Sequence, residues 1–229
     1  RLKYKIQEIS YSRADELVVE LEHVKIGLEK KYLFRKKPIH IVYSAVDSVF
    51  EEPERWLPVE IPITKHALRF GIISRNYPHK NLACLPFLKE YLIDEYQLHV
   101  EFFVTFPAQE WDACSDRFKR EINNIGSVSL AQCPSFYCLM DGVIFPSLLE
   151  CFSAVPIEAM MMKRPLFASD LPFIRDCCQE HANYFDPLSI NNMADVIANY
   201  FLEETEFREE NLQRALQFIK KYPGPRERA

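Results

Sequence analysis

Asp141-Gly142-Val143-Ile144-Phe145-Pro146-Ser147-Leu148-Leu149-Glu150-Cys151-Phe152-Ser153-Ala154-Val155-Pro156-Ile157-Glu158-Ala159-Met160 is the stretch that decides the fold of this chain. A buried apolar run at Val143–Phe145 ends in a Pro-Ser turn and a short loop, and a helix is expected to begin between Ala154 and Pro156. Pro156 suits a first helical turn, where its missing N–H costs nothing. In open α/β sheets, ligands sit just past the carboxyl ends of strands, facing helix N-termini. Free N–H groups and the helix dipole favour phosphate there. Glu150 and Glu158 flank that position, and carboxylates accept hydrogen bonds from paired hydroxyls, which suits ribose and sugar rings. Spacing alone says little, because the same E-x7-E pattern occurs at Glu8/Glu16 and Glu52/Glu60. Charged residues are mostly solvated, so exposed carboxylates are the bland alternative. The strand–loop–helix context is what gives the third pair its weight.

Working outward, the same alternation recurs. Short apolar runs read as strands at Leu17–Val19, Ile39–Val42, Leu68–Ile73, Val100–Val104 and Pro165–Ala168. With little polar alternation, they look like strands buried on both faces. Between them, helices are expected over Asn81–Tyr96, Gln109–Ile122, Ile190–Leu202 and Glu206–Lys221. Pro86 falls inside the first window, so regular helix is expected to begin only there. Tyr222-Pro223-Gly224-Pro225 is a strong stop for the last helix. The pattern predicts an α/β fold with a Rossmann-like parallel sheet flanked by helices.

Residues 44–66 break the alternation with three prolines and several acidic residues, and read as a linker. The division expected is 1–45 as a remnant of an N-terminal domain, 46–64 as the linker and 65–229 as the main domain. Residues 1–43 are too little to fold alone. Either an N-terminal domain is mostly missing, or these residues dock on the larger one. The opening Arg1-Leu2-Lys3-Tyr4-Lys5 has neither an initiator Met nor a signal-peptide pattern, and is read as a truncation.

Composition narrows the function. Hydrophobic residues at 48% and charged residues at 27% are ordinary for a soluble globular protein. A net charge of −5 makes nucleic acid a poor partner, since phosphate backbones need a basic face. No run of about 18 apolar residues is present to span a membrane. The seven cysteines are odd in number and contain no C-x-x-C pair, which argues for a reducing cytoplasm rather than a disulfide framework or a zinc site. No D-x-D triplet occurs, so a metal bridging a diphosphate has no obvious local ligands.

A second chemical element lies upstream. The run Leu68–Ile73 leads into Ser74-Arg75-Asn76-Tyr77-Pro78-His79-Lys80-Asn81. Arg75 and Lys80 at a strand-end loop make a reasonable diphosphate clamp, through charge-assisted bonds worth roughly 1.5–3 kcal/mol each. Standing alone, two basic loop residues would more simply be solvated.

Together the two segments resemble the retaining glycosyltransferases of family four, which have the two-domain GT-B architecture. That family's first-strand loop, G-R-x4-K, is matched by Ser74-Arg75-x4-Lys80, and its P-S-x-x-E-G-F-G-x4-E-A signature by Pro146 to Ala159. Arg164 to Pro172 looks like its G-x-P-V-V-A-S-D-x-P segment, and Ala182 to Pro187 like its A-x-Y-F-D-P strand and turn. Ala14 to Val19 resembles the last strand of the family's N-terminal domain. The likeness runs from about Arg13 to about Ala215. It implies that Arg75 and Lys80 hold the diphosphate of a sugar nucleotide and that Glu158 binds the ribose. Glu150, with backbone N–H groups of Cys151, Phe152 and Ser153, would hold the donor sugar and distal phosphate. The loop containing Gly126 and Ser127 would sit near the base. The implied reaction moves the sugar to a saccharide or lipid-linked glycan with retention of configuration. It rests on stabilising the leaving diphosphate, with no cofactor and no metal.

The sequence also departs from the family. Cys151 and Ser153 replace both glycines of E-G-F-G, Ser74 replaces the glycine before Arg75, and Ser44-Ala45 stand for the linker's Asn-Gly. Glycine permits positive φ and close approach to phosphate, and the chain has only five. Two rivals therefore stay open: a non-catalytic sugar-nucleotide-binding module, and another GT-B enzyme such as a sugar-nucleotide epimerase. The basic cluster Lys30, Lys31, Arg35, Lys36 and Lys37 is either a patch for a membrane surface or anionic acceptor or, more commonly, a solvated helix end. Met160 to Met162, the Cys177-Cys178 pair, Phe136 and Tyr137 are expected to serve packing.

Overall fold

A computed structural model describes residues 2–31, 33–62 and 64–220. The chain starts with α1 (Leu2–Tyr11), β1 (Leu17–Val19), α2 (Glu22–Glu29) and β2 (Ile39–Ile41). Short 3-10 turns at Ser48–Glu51 and Pro53–Arg55 lead to β3 (Leu68–Ile72), α3 (Leu85–Tyr96) and β4 (Val100–Val104). Then come α4 (Ala108–Asp112), α5 (Asp116–Glu121), β5 (Ile122–Asn124), α6 (Cys133–Cys138) and β6 (Gly142–Phe145). The remainder is α7 (Val155–Met161), β7 (Leu166–Ser169), α8 (Pro172–Cys178), β8 (Asn183–Phe185), α9 (Ile190–Leu202) and α10 (Thr205–Ile219). The stop expected at Tyr222 to Pro225 lies outside the described residues.

β3 to β8 form a parallel sheet in the order β5-β4-β3-β6-β7-β8. The chain enters at the centre, winds outward through β4 and β5, crosses back over β3 to β6, and winds outward the other way. This is the doubly wound Rossmann order, and the reversal between β3 and β6 is its switch point. β3 pairs with β4 over five residues, Leu68 to Ile72, but with β6 only at Phe70 and Gly71. Arg69 and Asp141 fasten the lower end of that shorter seam: Arg69 N–H donates to Asp141 Oδ2 at 2.8 Å and Asp141 N–H to the Arg69 carbonyl at 2.7 Å. Above Gly71 the two strands are no longer paired, and it is in the crevice at such a reversal that doubly wound sheets take ligands.

The apolar runs of the large sheet are strands because both faces are covered, whereas β1 and β2, expected to be buried on both faces, are covered on one, with Val18 and His40 exposed. All four residues of β6 and of β7 are buried, as are Phe102, Phe103 and Val104 of β4. Phe70 lies at the centre, its ring 5.5 Å from that of Phe167 and 5.7 Å from that of Phe102. Such packing leaves no room beside the seam. A Cβ on Gly142 would come within 2.8 Å of the Phe70 ring, and one on Gly71 within 2.7 Å of Phe136 and Met140.

β1 and β2 pair in parallel as a separate two-stranded sheet. It is docked on the larger body: Leu21 is 1% exposed within the main core, and His23 N–H donates to Asp176 Oδ2 of α8 at 3.0 Å. The Pro-rich segment also lies against the core. Val49 and Phe50 are buried, Trp56 Nε1 donates to the Val49 carbonyl at 2.7 Å, and Leu57 N–H to the Ala131 carbonyl at 2.9 Å.

Some elements differ from expectation. The helix expected over Gln109–Ile122 is two helices, because Ser115 caps α5 by accepting from Phe118 N–H at 3.2 Å. Such a cap starts a new helix rather than continuing the old one. Ile122 then joins β5, a strand on the sheet's edge with a single apolar residue. Pro86 does sit in the first turn of α3, after a 3-10 turn at Leu82–Cys84.

Candidate functional site at the strand switch point

The crevice is walled by two loops. One follows β3. Ser74 N–H donates to Thr105 Oγ1 at 3.2 Å, which ties the loop to the end of β4. A 3-10 turn at Pro78–Lys80 then carries the chain back over the sheet, and Asn81 (φ 56°) redirects it into α3. The other loop follows β6, through Pro146 and Ser147 to Ser153. The two are fastened together twice: Leu148 N–H donates to the His79 carbonyl at 2.7 Å, and Lys80 Nζ donates to Glu150 Oε1 at 2.6 Å. Lys80 and Glu150 are only 13% and 10% exposed, and the ammonium lies 5.4 Å from the centre of the Phe145 ring. An ion so enclosed is costly to bury without a partner.

Arg75 does not join this pair. It is 58% exposed and bonds Glu110 of α4, whose other oxygen accepts from Asn76 N–H at 2.7 Å. These contacts hold the Glu110 carboxyl below its ordinary range and the Arg75 guanidinium above. Arg75 and Lys80 thus lie on one loop but face different carboxylates. The acidic partner Glu110 is remote in sequence, and nothing in its neighbourhood marks it out.

Past Glu150, Cys151 is exposed while Phe152 and Ser153 are half-buried. The Glu150 carbonyl lies 3.3 Å from His23 Nε2, so α2 reaches this loop. Ser147 Oγ is buried without a hydrogen-bond partner among the described residues. Glu158, in the first turn of α7, accepts a hydrogen bond from the Tyr137 hydroxyl at 2.7 Å. Burial pushes its carboxyl up, and the Tyr137 bond opposes that. Tyr137 and Phe136 are packed against the sheet as expected, but the phenol also has a polar task that sequence pattern did not reveal.

On the β4–β5 side, Asn124 organises the loop that holds Gly126 and Ser127. Its Oδ1 accepts from Phe106 N–H at 2.8 Å and from Gly126 N–H at 3.2 Å. Gly126 has φ 78°, a conformation that favours glycine, and Ser127 is exposed.

Elsewhere, Met160, Met162, Cys177 and Cys178 are buried in the core. In the basic cluster, Lys31 pairs with Glu8 and Lys37 donates to the Ala14 carbonyl, whereas Arg35 and Lys36 are exposed. A hollow of about 850 Å³ beside them is lined by Ser12, Asp15, Leu33 and the cations. No helix among the described residues is long and apolar enough to cross a membrane.

A family model described as glycosyl transferases group 1 matches residues 83–202. The O-antigen chain mannosyltransferase RfbU of Salmonella typhimurium strain LT2 is 22% identical over 201 residues, which is 84% of this chain and 52% of RfbU. The chain thus spans about half the length of that curated relative. Among solved structures, an E. coli trehalose-6-phosphate structure bound with UDP-2-fluoro glucose superposes with a TM-score of 0.78 at 10% identity, covering 98% of this chain and 61% of that one. Sucrose-phosphate synthase from Thermosynechococcus elongatus gives 0.72 at 14%, covering 94% and 56%. A variant of S. aureus TarM, in complex with Fondaparinux, alpha-GlcNAc-glycerol and UDP, gives 0.69 at 18%, covering 97% and 44%.

Proposed function

The chain belongs to the group 1 glycosyl transferases with a GT-B type of fold, and on that premise we propose that its described sheet is the donor half of a sugar-transfer site. The donor is a nucleoside-diphosphate sugar and the transfer retains anomeric configuration. The observation that carries this reading is the Lys80–Glu150 pair, held by two loops at the switch point of the doubly wound sheet. That is where such sheets take nucleotides.

The pair suits the chemistry. An incoming diphosphate competes for the Lys80 ammonium, and Glu150, released, accepts hydrogen bonds from the hydroxyls of the donor sugar. As the bond from the sugar to the diphosphate breaks, negative charge grows on the leaving phosphate. Lys80 stabilises that charge in a site with little water. Arg75 completes the clamp by leaving Glu110, which its exposure permits. Glu158 takes the ribose, and the loop at Gly126 and Ser127 borders the base. The backbone of Cys151 to Ser153 supports the distal phosphate. The cationic charge comes from side chains, so the reading asks for no metal.

The acceptor proposed is a saccharide or lipid-linked glycan in polysaccharide biosynthesis, which the likeness to an O-antigen mannosyltransferase supports. In this reading residues 1–45 belong to the acceptor half and residues 46–64 link it to the donor half. The protein works on the cytoplasmic side, and exposed Arg35 and Lys36 meet an anionic acceptor or membrane surface.

The test is to incubate the chain with a panel of sugar nucleotides and glycan acceptors, and to read nucleoside diphosphate release and product configuration by proton NMR. Release, with the donor's anomeric configuration kept in the product, supports the proposal. An inverted product contradicts retention, and binding without release from any donor favours a non-catalytic module.

A further inference from the structure

Tyr137 stands in α6 with its ring wholly buried. A buried phenol needs a partner for its O–H, and here that partner is Glu158 Oε2 at 2.7 Å. Glu158 makes no other side-chain hydrogen bond and no ion pair among the described residues. The residue is half-buried rather than enclosed. The carboxylate is therefore held at Oε2, while Oε1 carries no hydrogen bond among the described residues.

We propose that Tyr137 is a positioning residue, fixing the Glu158 carboxylate by Oε2 and leaving Oε1 for the vicinal hydroxyls of a ligand. The inference rests on the donor-site reading above. A carboxyl's terminal torsion is broad and roughly two-fold, so without the phenol the group loses the contact that orients it. The hydroxyl also sustains the charge. Burial pushes the Glu158 carboxyl up from its ordinary value, and the Tyr137 hydrogen bond is the contact that lowers it. The other titratable neighbour is Cys133, also on α6, whose thiol is pushed up to about 12 by burial and by Glu158, and so stays neutral. α8, α10, β6 and β7 also pack on α7, and none of them makes an ion pair with Glu158 among the described residues. The ionised form is the one that accepts two hydroxyls. Ligand affinity therefore falls as pH drops through the Glu158 titration, and losing the phenol moves that fall to higher pH.

Tyr137→Phe removes only the hydroxyl and keeps the ring. The experiment follows the carboxyl carbon of Glu158 by NMR across pH in the full chain, assigned with Glu158→Gln. It also measures the affinities of UDP, GDP and ADP over the same range. In Tyr137→Phe the Glu158 midpoint is expected to rise by about one pH unit. The diphosphate that binds should weaken roughly tenfold at pH 7, with the deficit shrinking as pH rises. Glu158→Gln should show no such pH dependence. An unchanged midpoint overturns the proposal, and so does a shifted midpoint with unaltered affinity. If the wild type binds none of the three, the donor-site reading falls, and the ligand-free titration alone decides whether Tyr137 governs Glu158.

Discussion

Lys80 and Glu150 each occupy a place where an ion without a partner would be costly, and each is the other's partner. Lys80→Ala leaves a nearly enclosed carboxylate alone, so it should lower stability by about 1–3 kcal/mol in urea unfolding. Lys80→Met combined with Glu150→Leu should recover most of that loss, since apolar replacements need no counter-charge, yet the double variant should bind no diphosphate. Glu158 behaves in the opposite sense. Its folded carboxyl lies above its ordinary value, so ionising it costs stability as pH rises through that value. Glu158→Gln should therefore melt higher than wild type at pH 7 and no higher near pH 4, as scanning calorimetry would show. A residue kept at a cost to stability is what a binding role leads one to expect. At this scale the sequence marked Lys80, Glu150 and Glu158 through motif and context. It did not mark Glu110, His23 or the Tyr137 hydroxyl, because each acts on a partner far along the chain.

At the scale of elements, the seam between β3 and β6 depends on what its residues lack. Gly142→Ala should cost about 1–3 kcal/mol, because its Cβ would press on the Phe70 and Phe167 rings inside a closed core. Gly27→Ala, in α2 with nothing within 4 Å of the added carbon, should instead stabilise by about 0.5–1 kcal/mol. Thermal unfolding of the two variants should diverge in sign. The central strands were legible because apolar residues cover both faces without alternation. β5 was not, since Ile122-Asn123-Asn124 carries one apolar side chain and gains its register from β4. The division of the 109–122 window into α4 and α5 was also hidden, because helical periodicity continues across Ser115 while its side chain caps a new start.

For the molecule as a whole, alternating strands and helices told of a parallel sheet, but not of its order. The order comes from which edges the long crossovers can cover, and no local pattern records that. The relation of the small sheet to the large one was equally open from sequence. In the structure it is settled partly by the His23 ring, whose Nδ1 lies 3.5 Å from Asp176 Oδ2 and whose Nε2 lies 3.3 Å from the Glu150 carbonyl. His23→Ala should raise hydrogen exchange in α2 and β1 by about tenfold while leaving β3, β4 and β6 protected.

A nucleoside diphosphate should bind between the β3 and β6 loops. Calorimetric titration of the chain with UDP, GDP and ADP, alongside Lys80→Ala and Arg75→Ala, tests this most directly. One of the three should bind wild type at micromolar or better affinity, weaken at least about tenfold in Lys80→Ala, and weaken also in Arg75→Ala. Binding that is indifferent to both substitutions would place the nucleotide elsewhere and contradict the assignment of the switch point as the donor site.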